Sequence, residues 1–218
     1  MVCRMKADLA SIRSDYQRAG LDEQSAPSDP IRLFERWMQD AIDAKHPEPN
    51  AATLATLGED GDPDARVVLL KGVDDAGFVF YTSYESAKAR QLAAHPRATL
   101  VFFWLMLERQ VRVRGEVTRV PEAESDAYFA SRPRESQLGA WTSHQSAVIG
   151  GRAELEAKLA EVTTRYDGKD VPRPPTWGGF RIAPTSIELW QGRPARLHDR
   201  LRYARGEAGA WSITRLSP

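Results

Sequence analysis

The stretch Arg109–Val120, RQVRVRGEVTRV, decides the fold class. Its residues alternate: Val111, Val113, Gly115 and Val117 fall on one face, and Arg112, Arg114, Glu116 and Thr118 on the other. A period of two sends successive side chains to opposite faces of a pleated strand, so this is a half-buried strand. Upstream of it, Ala51–Leu57, Ala65–Lys71, Gly77–Thr82 and Ala98–Trp104 are short β-branched or aromatic runs. The turn-forming stretches Gly58-Glu59-Asp60-Gly61 and Asp74-Asp75-Ala76-Gly77 lie between them. Downstream, Gly179–Ala183, Ser186–Gln191, Arg200–Arg205 and Ala210–Leu216 read as four closing strands. Hairpin-spaced strands with few crossover helices predict a mainly β protein with flanking helices (α+β), built on an antiparallel sheet or barrel.

The flanking helices have their own signals. Ser28-Asp29-Pro30 offers a capping side chain followed by proline in the first turn, and Ile31, Phe34, Trp37, Met38, Ala41 and Ile42 keep the helical period until Pro47 and Pro49 stop it. Ser86–His95, Pro121–Ser131 and Arg152–Tyr166 read as three more helices. Residues 1–28 form a separate piece. Met5, Leu9, Ile12 and Tyr16 make a helical stripe, and Gly20–Asp29 has linker composition. The chain thus divides into an N-terminal helical segment and linker (1–28), a candidate active-site lid, and a single domain (29–218).

Composition narrows the function. Lys plus Arg number 30 and Asp plus Glu 30, so the formal net charge is zero, unlike a chain built to grip phosphate backbones. The arginines 109, 112 and 114 keep a nucleic-acid surface open as a rival, although their alternation with valines also suits a solvated sheet face. One cysteine, Cys3, allows neither an intrachain disulfide nor a cysteine-based metal site, and no metal is expected. The longest apolar run, Leu100–Leu107, is far short of the roughly 20 residues of a membrane-spanning helix, and the N-terminus lacks the apolar core of a secretory signal. Cytoplasmic location without membrane or nucleic-acid partners is the expectation. The fingerprints of dinucleotide-binding, P-loop, zinc-peptidase and serine-hydrolase sites are absent.

What remains is a set of basic and hydroxyl residues beside strands and helix starts. Arg66 and Lys71 bracket the apolar run Val67-Val68-Leu69-Leu70, as buried-strand ends or as ligand contacts. Tyr81-Thr82-Ser83 and Ser86-Ala87-Lys88 end one strand and open a helix, where hydroxyls, backbone N–H groups and a lysine could hold a phosphate. Ser86 is equally an ordinary N-cap. Tyr128, Arg132 and Ser136 are four apart and would share one helix face, bent at Pro133. Trp190-Gln191-Gly192 and Arg196–Arg200 are the densest polar-aromatic stretch, with core packing the alternative for Trp190.

Together these residues resemble the pyridoxine (pyridoxamine) 5′-phosphate oxidase family. The resemblance rests on Arg66–Lys71, Phe80-Tyr81-Thr82, Glu108–Val111, Ser131–Arg134, Ser136–Trp141, His144-Gln145-Ser146, Trp177-Gly178-Gly179, Glu188–Gly192 and Arg196–Arg200, in order and spacing, and extends to Arg13 and Tyr16. It implies an FMN-binding split antiparallel β-barrel, working as a homodimer with the flavin at the interface. The implied reaction is oxidation of pyridoxine or pyridoxamine 5′-phosphate to pyridoxal 5′-phosphate, with O2 reduced to H2O2. FMN contacts would come from Arg66, Val67, Val68, Leu69, Leu70, Lys71, Tyr81, Thr82, Lys88, Gln110, Gln145, Ser146, Trp190 and Arg200. Lys71, Tyr128, Arg132 and Ser136 would hold the substrate phosphate. Arg196 and His198 would be the catalytic pair at the pyridine ring, with Arg13 and Tyr16 closing over it. Where the family often carries Ser-Arg-Lys, this chain reads Ser86-Ala87-Lys88 and lacks one cation for the FMN phosphate. A related flavin or deazaflavin oxidoreductase with another substrate, and a non-catalytic binder of FMN or pyridoxal phosphate, are the rivals.

Overall fold

The computed structural model describes residues 16, 20–58, 60–207 and 209–218. The expected stripe positions Met5, Leu9 and Ile12 lie outside the described residues, as does Arg13. Among the described residues five α-helices flank one antiparallel sheet: α1 (Pro30–Asp43), α2 (Ala87–Ala94), α3 (Glu122–Ala130), α4 (Arg134–Thr142) and α5 (Arg152–Arg165). The strands are β1 (Ala51–Leu57), β2 (Pro63–Leu69), β3 (Gly72–Asp74), β4 (Gly77–Ser83), β5 (Arg97–Trp104), β6 (Arg109–Arg119), β7 (Trp177–Gln191), β8 (Asp199–Arg205) and β9 (Trp211–Arg215). Their order is β2-β1-β5-β6-β7-β4-β3, with β8 on β7 and β9 on β8.

β6 behaves as its alternation predicts. Val111, Val113 and Val117 are buried, while Arg112, Arg114 and Glu116 are exposed. β7 corrects an expectation, because Gly179–Ala183 and Ser186–Gln191 are parts of a single 15-residue strand. Pro184 lies between them at a register shift against Arg114 and Gly115, where Thr185 is the extra residue. A proline is accommodated at a bulge because no ladder donor is required there. Gly115 is required opposite it, since a Cβ at that position would meet the Ala183 carbonyl oxygen at 2.0 Å.

At this bulge the sheet forks. β6 follows β7 along most of its length, but the other edge of β7 is shared: β4 pairs residues 177–182 and β8 pairs residues 186–191. The sheet therefore splits instead of closing, which is the split-barrel form of an antiparallel fold. α1 plugs its apolar interior. Asp29 caps the helix by accepting from the Ile31 N–H at 2.9 Å, and Phe34 packs edge-on against Phe78 and Phe102. A second, smaller core of Phe129, Leu138, Val162, Tyr166, Val171 and Trp177 lies among α3, α4, α5 and the start of β7.

Leu21–Asp29 has no regular element, as its composition predicts, yet it is fastened to the domain. Leu21 is buried, its N–H donates to Asp199 Oδ2 at 3.0 Å, and Arg215 bridges Glu23 and Asp199. Among the described residues no helix is long and apolar enough to cross a membrane.

Candidate active site

A cleft of ≈ 490 Å³ opens at the seam between the two cores. β2 supplies an apolar wall, Val67, Val68 and Leu69, with Val67 66% exposed. Tyr128, Arg132, Ser136 and Gly139 line it from the helical side, and Lys71 joins them. The expected single helix face for Tyr128, Arg132 and Ser136 is corrected: α3 ends at Ala130, α4 starts at Arg134, and Arg132 sits in the turn between them. All three nonetheless line the same cleft. Gly139 also faces it, and a Cβ there would meet nothing within 4 Å. An interior helical glycine is costly relative to alanine, and here it leaves the α4 backbone open to a ligand.

The start of α2 forms the second part. Ser86 is the N-cap, its side chain accepting from the Ala89 N–H. Lys88, only 8% exposed, donates from Nζ to Thr82 Oγ1 at 3.3 Å and to Gln145 Oε1 at 3.4 Å, and Thr82 donates to Gln145 at 2.7 Å. Burial, then the nearby Arg66 cation, pushes the Lys88 pKa below its ordinary value, with Asp64 opposing. Ser146, in a left-handed conformation with φ 72°, accepts from the Ala87 N–H at 3.2 Å. Arg66 does not line the cleft. It turns to Asp64, Thr56 and Gln91, while Leu70 is buried in the main core.

Aromatic rings form the third part. Tyr81 stacks on Tyr128, centroids 4.0 Å apart, and on Trp177 at 5.4 Å. Burial pushes the Tyr81 phenol up to about 12 and the Tyr128 phenol upward too, so both stay protonated and able to donate. The Arg132 guanidinium lies over Trp177 at 4.6 Å, and its Nη1 is buried without a hydrogen-bond partner among the described residues. A buried donor left unsatisfied is costly, and an arriving anion would relieve it.

The remaining predicted residues gather elsewhere. Trp190 and His198 have ring centroids 4.6 Å apart, and Tyr16 is edge-on to each at 5.7 Å. Arg196, at φ 61°, flanks them, and Gln110 is the β6 partner of Trp190. The Arg193 N–H donates to His198 Nδ1 at 3.1 Å, and burial followed by the Arg196 charge lowers the His198 pKa. Arg200 donates to the buried Glu188 at 3.0 Å. None of these residues lines the cleft. Trp177 and Trp190 lie on the same strand, separated by a path of roughly 40 Å at ~3.3 Å per residue.

The arginines that kept a nucleic-acid surface open are partly spent internally: Arg109 pairs with Asp40 at 2.6 Å and covers Trp37, and Arg112 pairs with Glu188. Among the described residues no group of three or more His, Cys, Asp or Glu could hold a metal. Five cleft residues, Ser83, Gly139, Ala140, Ser143 and Trp177, are not among the expected site residues. All but Ser143 stand within the stretches quoted from the sequence, and the further signal at Gly139 is a glycine inside a potential helix.

Fold and site define the class first: a split antiparallel barrel with a cleft of unpaired cations, phenols and hydroxyls beside an apolar wall. Residues 38–166 match the family model described as pyridoxamine 5′-phosphate oxidase, and residues 177–218 match the pyridoxine 5′-phosphate oxidase C-terminal dimerisation region. A pyridoxine/pyridoxamine 5′-phosphate oxidase from Burkholderia ambifaria is 58% identical over 212 residues, covering 96% of this chain and 99% of that protein. The crystal structure of PhzG from Burkholderia lata in complex with tetrahydrophenazine-1-carboxylic acid superposes with a TM-score of 0.88 at 33% identity, covering 94% of this chain and 100% of that one. A pyridoxamine 5′-phosphate oxidase-related FMN-binding protein from Nostoc punctiforme shares the fold at TM-score 0.71 and 18% identity, covering 88% of this chain and 100% of that one. The chain belongs to the pyridoxamine 5′-phosphate oxidase family, and its class is therefore that of an oxidoreductase.

Proposed function

We propose that the protein oxidises pyridoxine or pyridoxamine 5′-phosphate to pyridoxal 5′-phosphate, using FMN and O2 and releasing H2O2, as a homodimer in the cytoplasm. The observation that carries this reading is the buried Nη1 of Arg132, without a partner among the described residues, beside Tyr128, Ser136 and Lys71 in one cleft. Four donors from separate elements suit a phosphate monoester, and grip on that remote group orients the ring for reaction.

The donor set also fits FMN. Lys88, Thr82, Gln145 and Ser146 would hold its phosphate, and the apolar wall Val67–Leu69 would face its ring. When bound, FMN supplies the acceptor for a two-electron oxidation at the substrate's 4′ carbon. Gln110, Trp190 and Arg200 would be contributed from the other cluster. In that cluster His198 accepts at Nδ1 from Arg193, so its neutral ring carries the proton on Nε2, the atom left for a substrate. Arg196 would help His198 orient the pyridine ring, with Arg13 and Tyr16 closing over it and residues 1–28 acting as the lid. The path between the clusters exceeds what one small ligand spans, and the second cluster lies largely within the matched dimerisation region. A partner chain would bring the two together.

The test is a visible spectrum of the FMN-supplemented protein under anaerobic conditions. Adding pyridoxine 5′-phosphate should bleach the flavin band, and air should restore it. Bound flavin that does not bleach would sink the substrate assignment and leave the rivals, a flavin enzyme for another substrate or a non-catalytic binder. Bleaching by a reduced phenazine carboxylate alone would favour a second reading, suggested by the ligand of the Burkholderia lata relative.

A further inference from the structure

We infer that Trp177 is a positioning residue: its indole face holds the Arg132 guanidinium in the cleft and thereby sets the affinity for the substrate's phosphate. The inference rests on the function proposed above and adds to it a residue that would act through another.

An arginine that must grip an incoming anion needs to be held in place without being neutralised. A carboxylate would orient it but would also satisfy its charge and compete with the ligand. Among the described residues no carboxylate pairs with Arg132; Asp126 and Glu124, on the preceding helix α3, are engaged by Arg173 and Arg181. An aromatic face does what a carboxylate cannot. It attracts the cation through the ring quadrupole and leaves the N–H groups free. Arg132 lies 4.6 Å from the Trp177 centroid and 5.5 Å from that of Phe129.

The platform is itself fixed. Trp177 is stacked on Tyr81 at an interplanar angle of 10°, and Phe129 meets it edge-on at 5.2 Å. Its backbone N–H donates to the Pro174 carbonyl at 3.0 Å, and its own carbonyl accepts from Arg173 Nη1 at 2.7 Å. Arg173 in turn is anchored to Asp126 at 2.6 Å. The chain of contacts Asp126–Arg173–Trp177–Arg132 ends on the one buried side-chain atom that has no partner among the described residues.

The test measures binding of pyridoxal 5′-phosphate and of unphosphorylated pyridoxal to the FMN-loaded protein by calorimetry. The variants are Trp177→Leu, Trp177→Phe, Arg132→Ala and the doubles. A desolvated cation–π contact corresponds to about 3- to 30-fold in affinity. Trp177→Leu should weaken pyridoxal 5′-phosphate by that factor and pyridoxal by less than about twofold, with Trp177→Phe in between. In turnover, KM for pyridoxine 5′-phosphate should rise more than kcat falls. In the Arg132→Ala background the Trp177 effect should vanish, the coupling expected of two residues acting as one.

Additive losses, or equal loss for both ligands, would overturn the inference, since Trp177 would then contact the ligand itself. If Arg132→Ala alone left pyridoxal 5′-phosphate affinity unchanged, the phosphate cradle and the proposed function would fall with it. Trp177 belongs to the smaller core, so Trp177→Leu could fail to fold. Trp177→Phe then decides alone: a partial loss that disappears with Arg132→Ala supports the inference, and no loss ends it.

Discussion

The two ends of β7 differ in the cations they leave without a counterion. Near Trp190, Arg112 and Arg200 share the buried Glu188, while Arg193 and Arg215 share Asp199. Near Trp177, Arg173 and Arg181 are also paired with acids, but among the described residues Lys88 has only neutral oxygens and Arg132 only aromatic faces. A paired arginine has its counterion built in and is held in place by it. A buried cation without one is a standing cost that an anionic ligand offsets. The contrast separates cations fixed by a counterion from cations left for a ligand to satisfy.

The sharpest way to break this contrast is at Glu188. Replacing it by glutamine removes the shared counterion of Arg200 and the half-exposed Arg112, and losing such charge-assisted contacts costs about 2 kcal/mol. Glu188→Gln should lose that much stability in urea unfolding, and an unchanged midpoint would deny the scaffold role. Lys88→Met should do the reverse. It removes an unpaired buried charge, so urea stability should hold or rise, while FMN affinity in a fluorescence titration falls about 30-fold, the equivalent of about 2 kcal/mol for a charge-assisted contact. Equal FMN binding by both forms would erase the distinction from the other side.

The smallest effect concerns Glu23. Arg215 holds its carboxyl down at about 2, against an ordinary 4.5. The folded state therefore takes up this proton less readily than the unfolded chain. The contribution is complete above pH 4.5 and fades as pH falls toward 2. The Tm difference between the native protein and Glu23→Gln should narrow on going from pH 6 to pH 3. A constant difference would mean the contact at the scaffold end adds nothing through its charge.

Much of the fold was legible because local chemistry and tertiary demand agree. Val111, Val113 and Val117 alternate and are buried, Asp29 caps α1, and Ser86 caps α2. β7 was misread as two strands because a proline ordinarily ends one, and the bulge that tolerates Pro184 depends on Gly115, far away in sequence. α4 went unseen because RESQLGAWT has a weak period and an interior glycine. The site was legible as residue types but not as geometry. Tyr128, Arg132 and Ser136 do converge, but from two helices and a turn. Arg66 carries the charge expected of a ligand contact and is paired with Asp64, two residues away, a pairing its charge alone does not reveal. The Trp177 platform was beyond reach because its partner, Arg132, is contributed by a distant turn.

One strand carrying both Trp177 and Trp190 has a consequence for how such a protein can change over time. Loops that carry no site residue can lengthen or shorten without disturbing either cluster. β7 cannot, because adding or deleting one residue in it reverses the facing of everything beyond that point. The strand works as a molecular ruler. It allows substitution at its markings but no change in their number, and the two halves of the site can only be inherited together.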